Sequence, residues 1–257
     1  MRAVYLIHGF ASDRDDYATL APLLTAYYDE VVCPNLPAHG MGKEKEKLNH
    51  KDILEFVENT FDDLKSRHET VDVFGVSMGG ALASYIASKR EIGRLVLLAP
   101  ANKYLAPFFV RDTLKWAFLA AREEKKADFE GHESDCLVKE IMADQRKVLK
   151  KLFGRFLRRI TPNNFIEFTR VIKKCNNALA EINVPAMIIW GEIDQLVPYA
   201  SVKHVSAYCC HPVTRIHIWK DLSHLMMYSC QYFRIIDAVF RFLEDTDAPM
   251  LEWSGGI

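Results

Sequence analysis

The chain is expected to fold as an α/β protein, a doubly wound and mostly parallel sheet of about six strands interrupted by an inserted helical segment. Three observations lead there. Short β-rich apolar runs alternate with helix-patterned runs over residues 1–101 and again over 182–244. Parallel neighbours need crossover connections, and those cover both faces of a sheet, so alternation of this kind argues for parallel strands. A glycine-flanked serine stands on one strand-to-helix junction, and between residues 102 and 181 the alternation gives way to helical patterning alone.

The first strand is Ala3–Ile7, continuously apolar as a strand buried on both faces should be. A helix over Tyr17–Tyr27 leads to a second strand, Glu30–Cys33, and the long amphipathic run His50–Arg67 forms the next helix. Val71–Gly75 is the third strand, and Met78–Arg90 the helix after it, with small and apolar residues recurring at three and four. Leu95–Leu98 is a fourth apolar strand. Beyond the insertion come strand Ala186–Trp190, helix Ser201–Cys209, the alternating strand Thr214–Trp219 and helix Cys230–Glu244. Residues 245–257 carry Pro249, Gly255 and Gly256 and are expected to be a tail.

The junction Gly75-Val76-Ser77-Met78-Gly79 is the most informative stretch. Ser77 falls on a sharp turn between the third strand and its helix, which lifts its hydroxyl above the sheet edge. Gly75 and Gly79 are required because side chains there would meet the neighbouring strand or helix. A bare G-x-S-x-G is a weak pattern, but the strand–turn–helix context makes it specific. A serine hydroxyl needs a general base, and the base needs an orienting group. Gly191-Glu192-Ile193-Asp194 follows the fifth strand, and Lys220-Asp221-Leu222-Ser223-His224 follows the sixth. Both loops lie past strand carboxyl ends, where open α/β sheets place their sites. The order Ser77, Asp194, His224 is that of nucleophile, acid and base in α/β-hydrolases.

On these residues, and on His8-Gly9-Phe10 after the first strand, the chain resembles the α/β-hydrolase superfamily, specifically its carboxylesterase- and monoacylglycerol-lipase-like members with a helical cap. The resemblance implies that Ser77 is the nucleophile, His224 the general base and then acid, and Asp194 the carboxylate fixing the imidazole tautomer. Glu192 and Asp221 are the rival acids, and His217 the nearest rival base. Some members carry the acid after the strand that ends here in Leu98-Ala99-Pro100-Ala101, where this chain offers Asn102 and no carboxylate. The backbone N–H groups of Phe10 and Met78 would form the oxyanion hole. His8 is expected to brace that loop rather than react. In Pro37-Ala38-His39-Gly40, Ala38 replaces a glycine commoner in the family, which touches loop geometry more than chemistry. Many members begin with a β-hairpin, which this chain has no room for, so the first strand should lie at or near a sheet edge.

The resemblance makes residues 102–181 a helical cap inserted into a core of 1–101 and 182–244. Between Lys103 and Glu181 there are 17 Lys and Arg against 11 Asp and Glu. From Lys147 to Lys174, nine basic residues accompany the single acid Glu167. Val148, Leu149, Leu152, Phe153, Phe156, Leu157 and Ile160 share one helical face, with a basic face opposite. That basic face is expected to be solvated, with transient contact to an anionic substrate or surface as the alternative. Pro162 should end this helix. Cap aromatics, among them Phe165 and Phe168, suit a roof over a small, largely apolar substrate.

Composition agrees with a globular enzyme. Hydrophobic residues make up 49% and charged residues 26%, and the net charge of −1 gives no argument for a nucleic-acid partner. No apolar run is long enough for a transmembrane span, and the N-terminus enters a strand directly, unlike a removable leader. The six cysteines lack metal-type spacing and are expected as reduced thiols in a cytoplasm, with Cys33 on a buried strand. No metal or phosphate-cradling pattern is visible, so no cofactor is expected. The reaction implied is carboxylic ester hydrolysis. Thioester, amide or carbon–carbon hydrolysis by the same residues is the alternative, and a non-catalytic binding protein of the same fold is the rival of a different class.

Overall fold

The computed structural model describes residues 1–40, 42–43, 46–104, 161–194, 196–229 and 231–245. Six strands form one wholly parallel sheet: β1 (Arg2–Ile7), β2 (Glu30–Val32), β3 (Thr70–Val76), β4 (Leu95–Leu98), β5 (Ala186–Gly191) and β6 (Thr214–Trp219), in the order β2-β1-β3-β4-β5-β6. The chain first steps outward from β1 to β2, then returns and winds the other way through β3 to β6. The reversal falls between β1 and β3, which run in register from Arg2 opposite Thr70 to Ile7 opposite Gly75. Open α/β sheets leave a crevice at such a reversal, beyond the strand carboxyl ends. β1 is therefore next to the edge, as expected, and β2 is the edge strand.

The described helices are α1 (Leu20–Leu24), α2 (His50–Arg67), α3 (Met78–Lys89), α4 (Pro162–Asn177), α5 (Tyr199–Ser206) and α6 (Tyr232–Leu243), with 3₁₀ turns at Arg14–Tyr17 and Met226–Tyr228. α3 is buried nearly all round because it lies between the sheet and helices α2 and α4, which explains its run of Gly, Ala and Ser. Asn49 caps α2, its side chain accepting from the Lys51 N–H at 2.9 Å. On the opposite face α6 packs beside the segment after α1, with Tyr27 against Phe240 at a ring separation of 5.0 Å. No helix among the described residues is long and apolar enough to cross a membrane.

Two local readings are corrected. The expected helix Tyr17–Tyr27 is a 3₁₀ turn followed by the short α1. Pro22 sits inside that segment and supplies no N–H to extend it. Cys33 lies beyond β2 and is only half-buried, because β2 is an edge strand. The helix expected to end at Pro162 lies outside the described residues; Pro162 itself occupies the first position of α4, where its missing N–H costs nothing, and Thr161 caps that helix by accepting from the Asn164 N–H at 3.2 Å. The basic helix expected over 147–160 and the tail beyond 245 lie outside the described residues.

α4 is joined firmly to the core. Phe168, Val171, Ile172 and Cys175 enter the hydrophobic cluster that contains the sheet. Glu167 accepts from both the N–H and the ring Nδ1 of His50 and pairs with Arg170, and these donors hold its carboxyl below the usual range.

Candidate active site

Gly75 and Gly79 bracket Ser77 for the reason their chemistry predicts. A Cβ on Gly75 would run into the backbone of Gly79, and a Cβ on Gly79 would run into the carbonyl of Ile7 on β1. α3 therefore starts in backbone contact with the neighbouring strand, and the turn between must be sharp. Ser77 takes the strain, with φ 55° and ψ −117°, a region where a side chain is disfavoured by about 1–3 kcal/mol. Four hydrogen bonds hold it there. Its N–H donates to Leu98 O at 2.9 Å, and its carbonyl accepts from Gly80, Ala81 and Ala101 at 2.9, 3.3 and 2.9 Å. β4 and the loop after it thus clamp the turn from the side.

Three elements converge on the Ser77 hydroxyl. His224, from the loop after β6, places Nε2 3.0 Å from Ser77 Oγ and Nδ1 2.8 Å from Asp194 Oδ2. The other oxygen of Asp194 accepts from the N–H groups of Leu196 and Val197, both at 2.8 Å. Its carboxylate is wholly enclosed. Nδ1–H thus donates to Asp194, and Nε2 faces the serine as an acceptor. Burial disfavours the charged imidazole and is the largest single influence on it. Even so, the charge and hydrogen bond of Asp194, with the charge of Asp16 behind them, raise His224 above its ordinary value of 6.5.

The rival residues lie elsewhere. Glu192 is exposed, and Asp221 accepts from Gln231 and Arg234 at the surface. His217 stays within β6, its ring 6.0 Å from that of Trp219.

The loop after β1 approaches from the other side of the crevice. His8 is fully buried, accepting from the Leu36 N–H through Nε2 at 3.0 Å, which leaves Nδ1–H to donate to Gly9 O at 2.9 Å. It braces this loop, as expected. Gly9 abuts Ser77, since a Cβ on Gly9 would stand 3.3 Å from Ser77 Cβ. Ala11, with φ 59°, completes the bend. Among the described residues nothing accepts a hydrogen bond from the N–H of Phe10 or of Met78, the two amides expected to serve an oxyanion. The Phe10 ring packs on Phe168 of α4 with centroids 4.8 Å apart, and Phe165 and Tyr104 extend this aromatic wall. Ala38 adopts φ 60°, so the position where glycine is commoner does need a left-handed backbone. No group of three His, Cys, Asp or Glu among the described residues is arranged to hold a metal.

Sequence reasoning missed Asp16. Its carboxylate accepts from the Gly9 N–H, from Ser12 and from Tyr228, and it is 8% exposed. Locally it looks like one of several acids in a surface turn, and its link to Tyr228 joins positions 212 residues apart. Only its seven-residue distance from Gly9 could have drawn attention to it.

Sheet order, elbow and convergent loops define an α/β-hydrolase of the esterase- and lipase-like kind. Residues 1–231 match the model of the Hydrolase_4 family, described as serine aminopeptidase, S33, and the chain belongs to that family. It is similar to Lipase 1 of Psychrobacter immobilis, 25% identical over 239 residues that cover 86% of this chain and 71% of the relative. The thermostable monoacylglycerol lipase of Bacillus sp. (strain H-257) is 35% identical over 85 residues, 33% of this chain and 34% of that enzyme. Among solved structures, one from the work on the metagenome-derived lipolytic enzymes LipS and LipT gives a TM-score of 0.68 at 16% identity, covering 95% of this chain and 94% of that one. The meta-cleavage product hydrolase CumD of Pseudomonas fluorescens IP01 gives 0.62 at 18%, covering 95% and 91%. These structural likenesses concern the fold.

Proposed function

We propose that this protein is a serine esterase that cleaves small, largely apolar carboxylic esters through an acyl-enzyme on Ser77. The observation that carries the reading is the unbroken line from Ser77 Oγ to His224 Nε2 at 3.0 Å and from His224 Nδ1 to Asp194 Oδ2 at 2.8 Å. Ser77 Oγ attacks the ester carbonyl while Nε2 takes its proton, and Asp194 steadies the imidazolium that results. Negative charge on the former carbonyl oxygen is met by the N–H groups of Phe10 and Met78, each worth about 3–4 kcal/mol where comparable donors have been removed. Collapse expels the alcohol, which leaves with the proton from Nε2. Water then attacks the acyl-enzyme, with Nε2 again taking a proton, and Ser77 is released with the carboxylic acid.

The lipase relatives support an ester as substrate, and the wall of Phe10, Phe168, Phe165 and Tyr104 supports an apolar acyl or alcohol group. A cytoplasmic setting belongs to this reading and fits the free thiols of Cys33, Cys175, Cys209 and Cys210. The test is the initial rate of hydrolysis on p-nitrophenyl esters of increasing acyl length, with fluorophosphonate labelling alongside. Wild type should turn over and label, and Ser77→Ala should do neither. Labelling without ester turnover would redirect the search to thioester, amide or carbon–carbon substrates. Absence of labelling would favour a binding protein.

A further inference from the structure

Asp16 joins two loops that chemistry must keep in step. Its Oδ2 accepts from the Gly9 N–H at 3.1 Å, and its Oδ1 accepts from the hydroxyls of Ser12 and, at 2.7 Å, Tyr228. Gly9 and Ser12 belong to the loop that presents the Phe10 amide. Tyr228 ends the 3₁₀ turn Met226–Tyr228, a few residues beyond His224. Gly9 lies between Asp16 and Ser77: a Cβ there would be 3.7 Å from Asp16 Oδ2 and 3.3 Å from Ser77 Cβ.

A largely buried carboxylate is costly unless its oxygens are satisfied. Here three donors satisfy it, and two come from the loop facing the serine. Because the Gly9 N–H is engaged by Asp16, the orientation of that peptide is set. The next N–H, of Phe10, is left as the one available to the crevice.

Resting on the reading of Ser77 as nucleophile, we propose that Asp16 is a positioning residue. It fixes the Gly9 peptide so that the Phe10 N–H faces the reacting carbonyl, and it ties this loop through Tyr228 to the segment that carries His224. The two properties of the carboxylate separate cleanly. Its oxygens set the geometry. Its charge acts on His224, which is otherwise faced by Asp194 from the loop after β5 and by Ser77 from the turn before α3.

Asp16→Asn and Asp16→Ala, assayed by ester hydrolysis across pH with fluorophosphonate labelling, separate them. Asn keeps an oxygen for the Gly9 N–H, and its amide can donate to the Ser12 and Tyr228 hydroxyls, which accept as well as donate. Its kcat should stay within a few-fold of wild type, while the acid limb of kcat/KM moves to lower pH because a negative charge favouring protonated His224 is gone. Ala removes the acceptor, so kcat should fall about 10²–10³-fold, the effect of losing an oxyanion donor, with KM nearly unchanged. Tyr228→Phe, which leaves the Gly9 contact intact, should lose a few-fold and serves in place of Asp16→Ala if that variant does not fold. Wild-type kcat in Asp16→Ala would overturn the proposal. So would equal losses in Asn and Ala with no movement of the pH limb, or a Tyr228→Phe indistinguishable from wild type. A wild-type protein that does not label would overturn the Ser77 reading itself, which the Asp16 variants cannot mimic.

Discussion

Ser77 is held in a backbone conformation that its own side chain disfavours. Three carbonyl acceptances and one donation hold it at φ 55°, so the strain is borne by β4 and its loop rather than by the serine alone. His224 beside it is raised above 6.5. With His224 as the proposed base, its neutral ring takes the Ser77 proton, so kcat/KM should rise with pH through a value above 6.5, which a pH–rate profile reads directly. A limb at or below 6.5 would contradict the pairing with Asp194. Asp194→Asn should retain the geometry but present the wrong tautomer, lowering kcat by roughly 10⁴. Glu192→Gln, by contrast, should leave turnover close to wild type, because Glu192 is exposed and it is Asp194 that pairs with His224 Nδ1.

β3, the turn at Ser77 and α3 work as one unit because two glycines let them pass β1 at backbone distance. Gly79→Ala would press a methyl against the carbonyl of Ile7. Neither partner is a flexible side chain, so α3 must shift. The expected cost is about 1–3 kcal/mol, the range for inserting a methyl group into packed surroundings, read as a lower urea midpoint, together with loss of fluorophosphonate labelling as Ser77 moves. Unchanged stability with full labelling would show that the element tolerates a wider spacing. α4 behaves as part of the core at this level too. Phe168 packs on Phe10, so α4 also supports the loop after β1.

The strand order decides where the site is. With β1 and β3 adjacent, the loop bearing Phe10 and the turn bearing Ser77 emerge side by side, while β5 and β6 bring Asp194 and His224 across the top. Asp72 secures this order from the opposite end of the sheet. It is fully buried on β3 and accepts from Arg2 of β1 at 3.0 Å, from Tyr28 before β2 at 2.6 Å and from the Arg94 N–H before β4 at 2.9 Å. Four neighbouring strands or their approaches thus meet at one carboxylate. Asp72→Ala would leave the Tyr28 hydroxyl and the Arg94 amide unpaired, while Arg2, 40% exposed, returns to water. Thermal or urea unfolding should show a loss of about 1–3 kcal/mol from the two orphaned donors. A neutral result would mean that water replaces the carboxylate.

Much of the fold and of the candidate site was legible in the residues. Apolar runs located the central strands β1, β3, β4 and β5, because a parallel strand buried on both faces needs no alternation, while β6, at a sheet edge, was legible from its alternating Thr214–Trp219 pattern. α2 was legible to the residue, since its amphipathic pattern is long and Asn49 caps it. Ser77, Asp194 and His224 were legible because each follows a strand end within a few residues. Shorter elements were not: α1 contracts at Pro22, and Cys33 loses its burial because strand order is not written in any local run. Glu192 and Asp221 could be set aside only once the loops after β5 and β6 were seen to converge. Asp16 and Asp72 look like ordinary acids in a turn and a strand, yet their partners lie up to 212 and 70 residues away. Periodicity and turn chemistry are local, so the chain alone dictates its elements and the residues at their ends. Distances between those ends, and the buried carboxylates that hold them, depend on the order in which strands pair, and only the folded molecule decides that.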